Sequence, residues 1–270
     1  MDRTNGMLLD AACEAALTAE KIHKKYAAEG VRSASKSAVY DLVTNVDTES
    51  EQAVVEVLQN FFPDHNIVGE ENQYRETDSP YTWFIDPLDG TNNFTKGIPH
   101  YSVSLGLAKN GFFHAGVVLD TAKNELFKAV RGEGAFFGDI PIRVSDVSSL
   151  EGAMLYTGFH YDRGDYMRGT LRTVENFFEE SILGIRRSGS AALDLCYLAC
   201  GRADGFWEHY LSPWDTAAGV CILQEAGGTV TDFRNRNLPL SPSTIIASNS
   251  RLHNAMLSVI SHTYPAELFD

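Results

Sequence analysis

Asp86 and Asp89 stand three residues apart in Phe84-Ile85-Asp86-Pro87-Leu88-Asp89-Gly90-Thr91-Asn92-Asn93-Phe94, at the close of an apolar run. A glycine and hydrogen-bonding residues follow at once. Tyr81 to Ile85 is aromatic and β-branched, which predicts a buried strand ending at Asp86. Pro87 removes a ladder donor, and Gly90 admits backbone conformations that other residues avoid. The expected turn therefore holds both carboxylates and the Leu88 carbonyl close together. Crowded carboxylates repel one another. A divalent cation is the natural compensation, because hard cations prefer oxygen ligands.

Other acids occupy similar ends. Glu70 and Glu71 follow Ile67-Val68, and Asp215 opens a helix in Trp214-Asp215-Thr216-Ala217-Ala218-Gly219. Each has a plain structural reading: Glu70 as a solvated strand terminus, Asp215 as an N-cap accepting free first-turn amides. Asp86, on a hydrophobic strand, has none. Three motifs compete for the Asp86 to Thr91 segment. A calcium loop needs acids at alternate positions before its glycine, yet counting back from Gly90 puts Ile85 at the first ligand position. Aspartyl-phosphate phosphatases of the haloacid dehalogenase type need acids two apart, whereas Pro87 and Leu88 separate these. Gly132, Gly134 and Gly138 lack both the lysine of a phosphate loop and dinucleotide spacing, and read as hairpin punctuation. Metal-dependent phosphomonoester hydrolysis with water as nucleophile is what fits.

The elements that must position these residues can be read from periodicity. Leu8, Leu9, Ala12, Ala15, Ala16, Ala19 and Ile22 follow a helical period from Leu8 to Tyr26. Gly30 to Val39, serine-rich and carrying Arg32 and Lys36, reads as a mobile loop. Thr48 to Glu51 reads as a capping box for a helix buried through Val54, Val57, Leu58 and Phe61. Short strands follow at Ile67-Val68, Trp83 to Ile85, Val103 to Leu107, Ala115 to Leu119 and Leu126 to Val130, then a hairpin from Phe136 to Ile142 turning at Gly138-Asp139. The second half alternates strands near Met154, Ile185, Gly205, Thr229 and Thr244 with helices near Met167, Ser190, Thr216 and Arg251. That order predicts one domain over residues 1–270 with two lobes, strand-rich to about 145 and α/β beyond.

Composition bounds the partners. Over 270 residues the chain is 44% hydrophobic and 21% charged, with a formal net charge of -14. Without a basic tract, nucleic acid is not expected as a partner. Cys13, Cys196, Cys200 and Cys221 lack redox or zinc spacing and read as thiols in a reducing compartment. No charged leader with an apolar stretch begins the chain and no segment is long and apolar enough to span a bilayer, so a cytoplasmic protein without a membrane partner is expected.

Gly69-Glu70-Glu71, Trp83 to Phe94 and Trp214 to Gly219 resemble the three signature blocks of the inositol monophosphatase family. Agreement extends to Lys36 with Asp41-Leu42-Val43-Thr44-Asn45-Val46-Asp47, to Gly189-Ser190-Ala191, and to Glu225-Ala226-Gly227-Gly228. The resemblance runs from the first helix to about Asn249. It implies an α+β / α/β fold, a five-layer α-β-α-β-α sandwich of the inositol monophosphatase/fructose-1,6-bisphosphatase type, usually homodimeric. It implies two to three Mg²⁺ ions: one on Glu70, Asp86 and the Leu88 carbonyl, a second on Asp86, Asp89 and Asp215, and a weaker third on Glu70 and water. Asp47 and Thr91 would activate the attacking water, with Glu70 assisting; a plain reading of Asp47 is an N-cap for a helix starting at Thr48. Gly90, Thr91 and Asn92 would offer amides to the phosphate at a helix start, although relatives most often have threonine where this chain has Asn92. Asp89, the Ala191 amide and Glu208 would bind the alcohol half, with Asp215 also at the substrate; Glu208 otherwise reads as a strand-end acid. Lys36 would sit on a lid over the metals.

The expectation is a Mg²⁺-dependent, Li⁺-sensitive phosphatase of inositol monophosphate. Its alternatives are a sibling substrate (3'-phosphoadenosine 5'-phosphate, fructose 1,6-bisphosphate, NADP or histidinol phosphate) or a catalytically idle, metal-stabilised interaction protein.

Overall fold

The structure is a computed structural model that describes residues 3–30, 33–35, 42–74, 76–160 and 163–263. Helix α1 (Arg3–Glu29) buries its alanine-rich face through Leu8, Ala12, Ala15 and Ala19. The strand pair β1 (Ser33–Ser35) and β2 (Leu42–Thr44) leads into α2 (Asn45–Phe61), whose Val54, Val55 and Leu58 join the same core. Both helices cover one face of a seven-stranded sheet of β3 (Asn66–Gly69), β4 (Tyr81–Asp89), β5 (Ser102–Lys109), β6 (Phe112–Asp120), β7 (Glu125–Val130), β8 (Ala135–Phe137) and β9 (Ile140–Ile142), neighbours in chain order. Only β3 and β4 pair in parallel. A five-residue helix, α3 (Thr91–Thr95), follows β4 directly.

The second half supplies β10 (Met154–Thr157), α4 (Asp165–Glu179), β11 (Gly184–Arg186), α5 (Ala191–Ala199), β12 (Gly205–Leu211), α6 (Pro213–Glu225), β13 (Thr229–Thr231), β14 (Ser243–Ser248) and α7 (His253–Thr263). Its sheet runs β11-β10-β12-β14-β13, parallel around β10 and antiparallel around β14. Helices α5 and α6 fill the space between the sheets, where Leu193 and Val220 meet Phe127, Phe206 and Ile245. On the far face Phe177 and Met256 pack against Leu155, Trp207 and Ile246. The order of layers is thus helices α1 and α2, large sheet, α5 and α6, small sheet, α4 and α7: the expected five-layer sandwich.

Close approach of α6 to the large sheet depends on two glycines. A Cβ on Gly106 would fall 2.5 Å from Ala217 Cβ, and one on Gly116 would fall 2.4 Å from the Ala218 carbonyl oxygen. That contact brings the start of α6 beside the end of β4.

Several local expectations need correction. Helix α2 starts at Asn45, because Thr44 is extended and forms the capping box with Asp47 at the third helical position. Asp47 is therefore not an N-cap, and Thr48 lies inside the helix. Asp215 is not the N-cap of α6 either: Ser212 is, with Pro213 in the first turn and Asp215 closing its capping box. Strand β4 continues through Pro87 to Asp89 rather than ending at Asp86. Within the stretch read as a mobile loop, Ser33–Ser35 form a strand; Lys36 and Asp41 lie outside the described residues.

Candidate metal and phosphate site

Proline in a sheet interior should disrupt the ladder, and here it coincides with a bulge. Asp86 pairs with Ser104 and Asp89 with Ser102, so β4 advances one residue more than β5 across the turn. Asp86 Oδ1 accepts from the Leu88 amide at 3.0 Å. From α1, His23 reaches the bulge: its Nε2 lies 3.0 Å from the Pro87 carbonyl oxygen and its Nδ1 lies 3.0 Å from Thr121 Oγ1. Burial pushes His23 down to about 4, so the ring is neutral near pH 7, and Nε2–H donating to Pro87 is the consistent tautomer. Gly90 then turns at φ +101°, where a Cβ would stand 3.1 Å from the His100 carbonyl oxygen.

Glu70, Asp86, Asp89 and Asp215 line one cavity of about 380 Å³. Burial raises Asp86 well above the usual carboxylate range, and the like charges of Glu70, Asp89 and Asp215 raise it further. Asp215 is raised in the same way, by burial first and then by Glu70 and Asp89. Burial pushes Asp89 up to about 6, against hydrogen bonds from Ser190 Oγ at 2.6 Å and the Ala192 amide at 2.9 Å. Asp215 Oδ2 accepts from the Ser212 amide at 2.7 Å. These hydrogen bonds engage one oxygen each of Asp86, Asp89 and Asp215.

Whether this donor set suits a metal can be judged from its chemistry. Four acids on one cavity, two of which (Asp86 and Asp215) are raised by the charge of their neighbours, are an all-oxygen donor set, which fits a hard divalent cation. Among the described residues no three His, Cys, Asp or Glu side chains are already gathered so as to hold an ion.

Beside the acids, Asp47 and Thr91 form a hydrogen-bonded pair. Asp47, almost fully buried, accepts from Thr44 N at 2.8 Å and from Thr44 Oγ1 at 2.5 Å on Oδ2, and from Thr91 Oγ1 at 2.8 Å on Oδ1. Burial raises its carboxyl, and these hydrogen bonds hold the rise back. Thr91 Oγ1 is also 3.1 Å from the Leu88 carbonyl oxygen. Gly90, Thr91 and Asn92 line the cavity. The helix they open is only five residues long, so their individual amides, not a macrodipole, are what they bring.

At another wall are Ala191 and Glu208. Glu208 is inside β12, paired with Ile245, not at a strand end. Burial pushes it up to about 8, with Asp194 and Asp89 adding and Arg187 opposing. Gly158 makes room for it, since a Cβ there would overlap the carboxylate at 2.0 Å. The structure thus brings Asp47, Glu70, Asp86, Leu88, Asp89, Gly90, Thr91, Asn92, Ala191, Glu208 and Asp215 to one locality; Lys36 cannot be placed.

Sequence reasoning missed Ser190, which caps α5 and donates to Asp89. It also missed Asn93, whose Nδ2 donates to the carbonyls of His100 at 2.7 Å and Ser188 at 2.9 Å, and so joins α3 to the loop before α5. Ser190 lies inside the Gly189-Ser190-Ala191 block and Asn93 inside the Trp83 to Phe94 block, and that membership is the only signal for either.

Comparison with known proteins agrees with this geometry. The profile of the inositol monophosphatase family matches residues 5–264. The Nus factor SuhB of Haemophilus influenzae is 42% identical over 247 residues, 91% of this chain and 92% of that protein. The inositol monophosphatase from Anabaena (Nostoc) sp. PCC 7120 superposes with a TM-score of 0.87 at 38% identity, covering 98% of this chain and 99% of its own. The extragenic suppressor protein suhB from Bartonella henselae gives 0.90 at 35% identity, covering 95% and 99%.

Proposed function

This chain belongs to the inositol monophosphatase family, a family of metal-dependent phosphatases, and from that premise we propose that it hydrolyses inositol monophosphate to inositol and phosphate with Mg²⁺. The observation that carries the proposal is the single cavity shared by Glu70, Asp86, Asp89 and Asp215, with Thr91 on its edge hydrogen-bonded to Asp47 and Glu208 on its wall. Glu70, Asp86, the Leu88 carbonyl, Asp89 and Asp215 would hold two to three ions. Bound there, such ions neutralise phosphate charge, acidify water and stabilise a leaving alkoxide.

The chain's own groups do the rest. Thr91 Oγ1 gives its one hydrogen to the anionic Asp47 in preference to the neutral Leu88 carbonyl, since charge-assisted hydrogen bonds are the stronger. Its lone pairs are then left to accept a hydrogen from the attacking water. As that proton reaches Thr91 Oγ1, the threonine proton passes to Asp47 Oδ1, and Glu70 orients the water from the other side. The Gly90, Thr91 and Asn92 amides steady the phosphate. Ser190 Oγ and Ala192 N fix one oxygen of Asp89 and leave the other for a ligand. Glu208, with Asp89 and the Ala191 amide, would receive the ring hydroxyls. Four free thiols suit a reducing cytoplasm, and the family resemblance implies a homodimer.

Arg187 on the cavity wall favours a second reading, a substrate with a further anionic group. Relatives named Nus factors support a role in transcription assemblies that is compatible with catalysis by the same chain. A panel of inositol monophosphates, fructose 1,6-bisphosphate and 3'-phosphoadenosine 5'-phosphate separates the substrate readings. If inositol monophosphate is the substrate, Glu208→Ala should raise its KM about 10-fold or more, the loss of one hydrogen bond to an ionisable group. An unchanged KM, or higher kcat/KM on a bisphosphate, would contradict it.

A further inference from the structure

Glu51 is fully buried; the capping box of α2 is formed by Thr44 and Asp47 rather than by Thr48 and Glu51, and the site's chemistry does not use Glu51. It lies four residues after Asp47, so both project from one face of α2. Its carboxylate accepts three hydrogen bonds: Glu71 N to Oε2 at 2.9 Å, Asn72 Nδ2 to Oε1 at 2.8 Å and Tyr74 Oη to Oε1 at 2.8 Å. A buried carboxylate is costly unless hydrogen-bonded in this way. All three donors belong to the segment that follows Glu70.

The Glu71 amide is part of the peptide that joins Glu70 to Glu71. On the other side of the residue, Glu70 N donates to the Ile85 carbonyl at 3.1 Å. The backbone of Glu70 is therefore held on both flanks, by the edge of β4 and by Glu51. Gly69 permits the approach: a Cβ there would fall 2.6 Å from Glu51 Oε2. One rigid helix thus bonds to Thr91 through Asp47 and fixes the backbone beneath Glu70 through Glu51.

We propose that Glu51 is a positioning residue for the metal centre, setting the direction of the Glu70 carboxylate by anchoring the Glu70–Glu71 peptide to α2. This rests on the reading of Glu70 as a metal ligand. A merely structural Glu51 would stabilise the 69–74 segment without affecting an ion. A positioning Glu51 must change ion affinity while the fold persists.

The test is calorimetric titration of the chelator-stripped protein with Mg²⁺ alone, beside thermal unfolding and steady-state phosphate release. Glu51→Gln replaces one acceptor oxygen by a donor and should weaken Mg²⁺ binding roughly 10- to 100-fold, the usual effect of losing a group that orients a ligand. KM for the phosphoester at saturating Mg²⁺ should stay within about two-fold, and unfolding should remain cooperative. Glu49→Gln removes the same charge from the exposed side of α2 and should bind Mg²⁺ as the wild type does. Where Glu51→Gln does not fold, Tyr74→Phe removes one donor, keeps the carboxylate, and should weaken binding a few-fold. Wild-type Mg²⁺ affinity in a folded Glu51→Gln, or in Tyr74→Phe where that variant carries the test, overturns the proposal alone. No Mg²⁺ binding by the wild type overturns it together with the metal reading.

Discussion

Thr91 has one hydroxyl hydrogen and two acceptors within reach, Asp47 Oδ1 and the Leu88 carbonyl. If its proton moves during turnover, deleting the hydroxyl should lower kcat about 10²- to 10⁴-fold, the range for a lost general-acid–base group. Mg²⁺ binding should barely change in Thr91→Ala, and Thr91→Ser should recover most of the rate. An alanine variant with normal kcat, or a serine variant as poor as alanine, would contradict that role. At this scale the sequence is most legible for acids, whose type and spacing announce them: Asp86 and Asp89 are separated by a proline and an apolar residue, unlike the acids of the haloacid dehalogenase type. Gly158 is silent, and Ser190 shows its block but not its role, because the carboxylates they serve, Glu208 and Asp89, are distant in the chain and only packing unites them.

Elements carry the next layer of information. The bulge in β4 is fixed by α1 through His23, whose imidazole is buried between the Pro87 carbonyl and Thr121. Its ordinary value is 6.5 and burial lowers it to about 4, so between those values the folded chain binds fewer protons than the unfolded one. The stability contributed by neutral His23 is present above about 6.5 and is lost as pH falls towards about 4. Chemical denaturation from pH 7 to pH 4 should therefore show a smaller stability loss in His23→Gln, which keeps a donor but cannot ionise. Parallel profiles for the two proteins would contradict a neutral, buried His23. Helix starts differ from expectation for a related reason: a Thr-x-x-Asp box and a Ser-Pro-x-Asp box use the same polar residues as caps at Asp47 and Asp215, and only backbone conformation distinguishes them. The bulge was half legible, since Pro87 signalled a break in the ladder but not that β4 resumes beyond it.

For the whole molecule, the layers explain why remote acids meet. Helix α6 belongs to the second half of the chain yet packs on the first half's sheet through Gly106 and Gly116, which delivers Asp215 to Asp86 and Asp89. The five-layer order followed from the family resemblance of the motif blocks; periodicity alone supplied the elements but not which sheet face each helix covers. Burying these acids together sets up a repulsion that a bound cation would offset, and that is the central claim. Its most direct measurement is release of inorganic phosphate from inositol monophosphate by purified, chelator-stripped protein as Mg²⁺ is added back, with and without Li⁺. The account predicts no turnover without Mg²⁺, saturable recovery on its addition, and loss of activity with Li⁺. Phosphate release that persists undiminished in chelator, or none at any Mg²⁺ concentration, would contradict it.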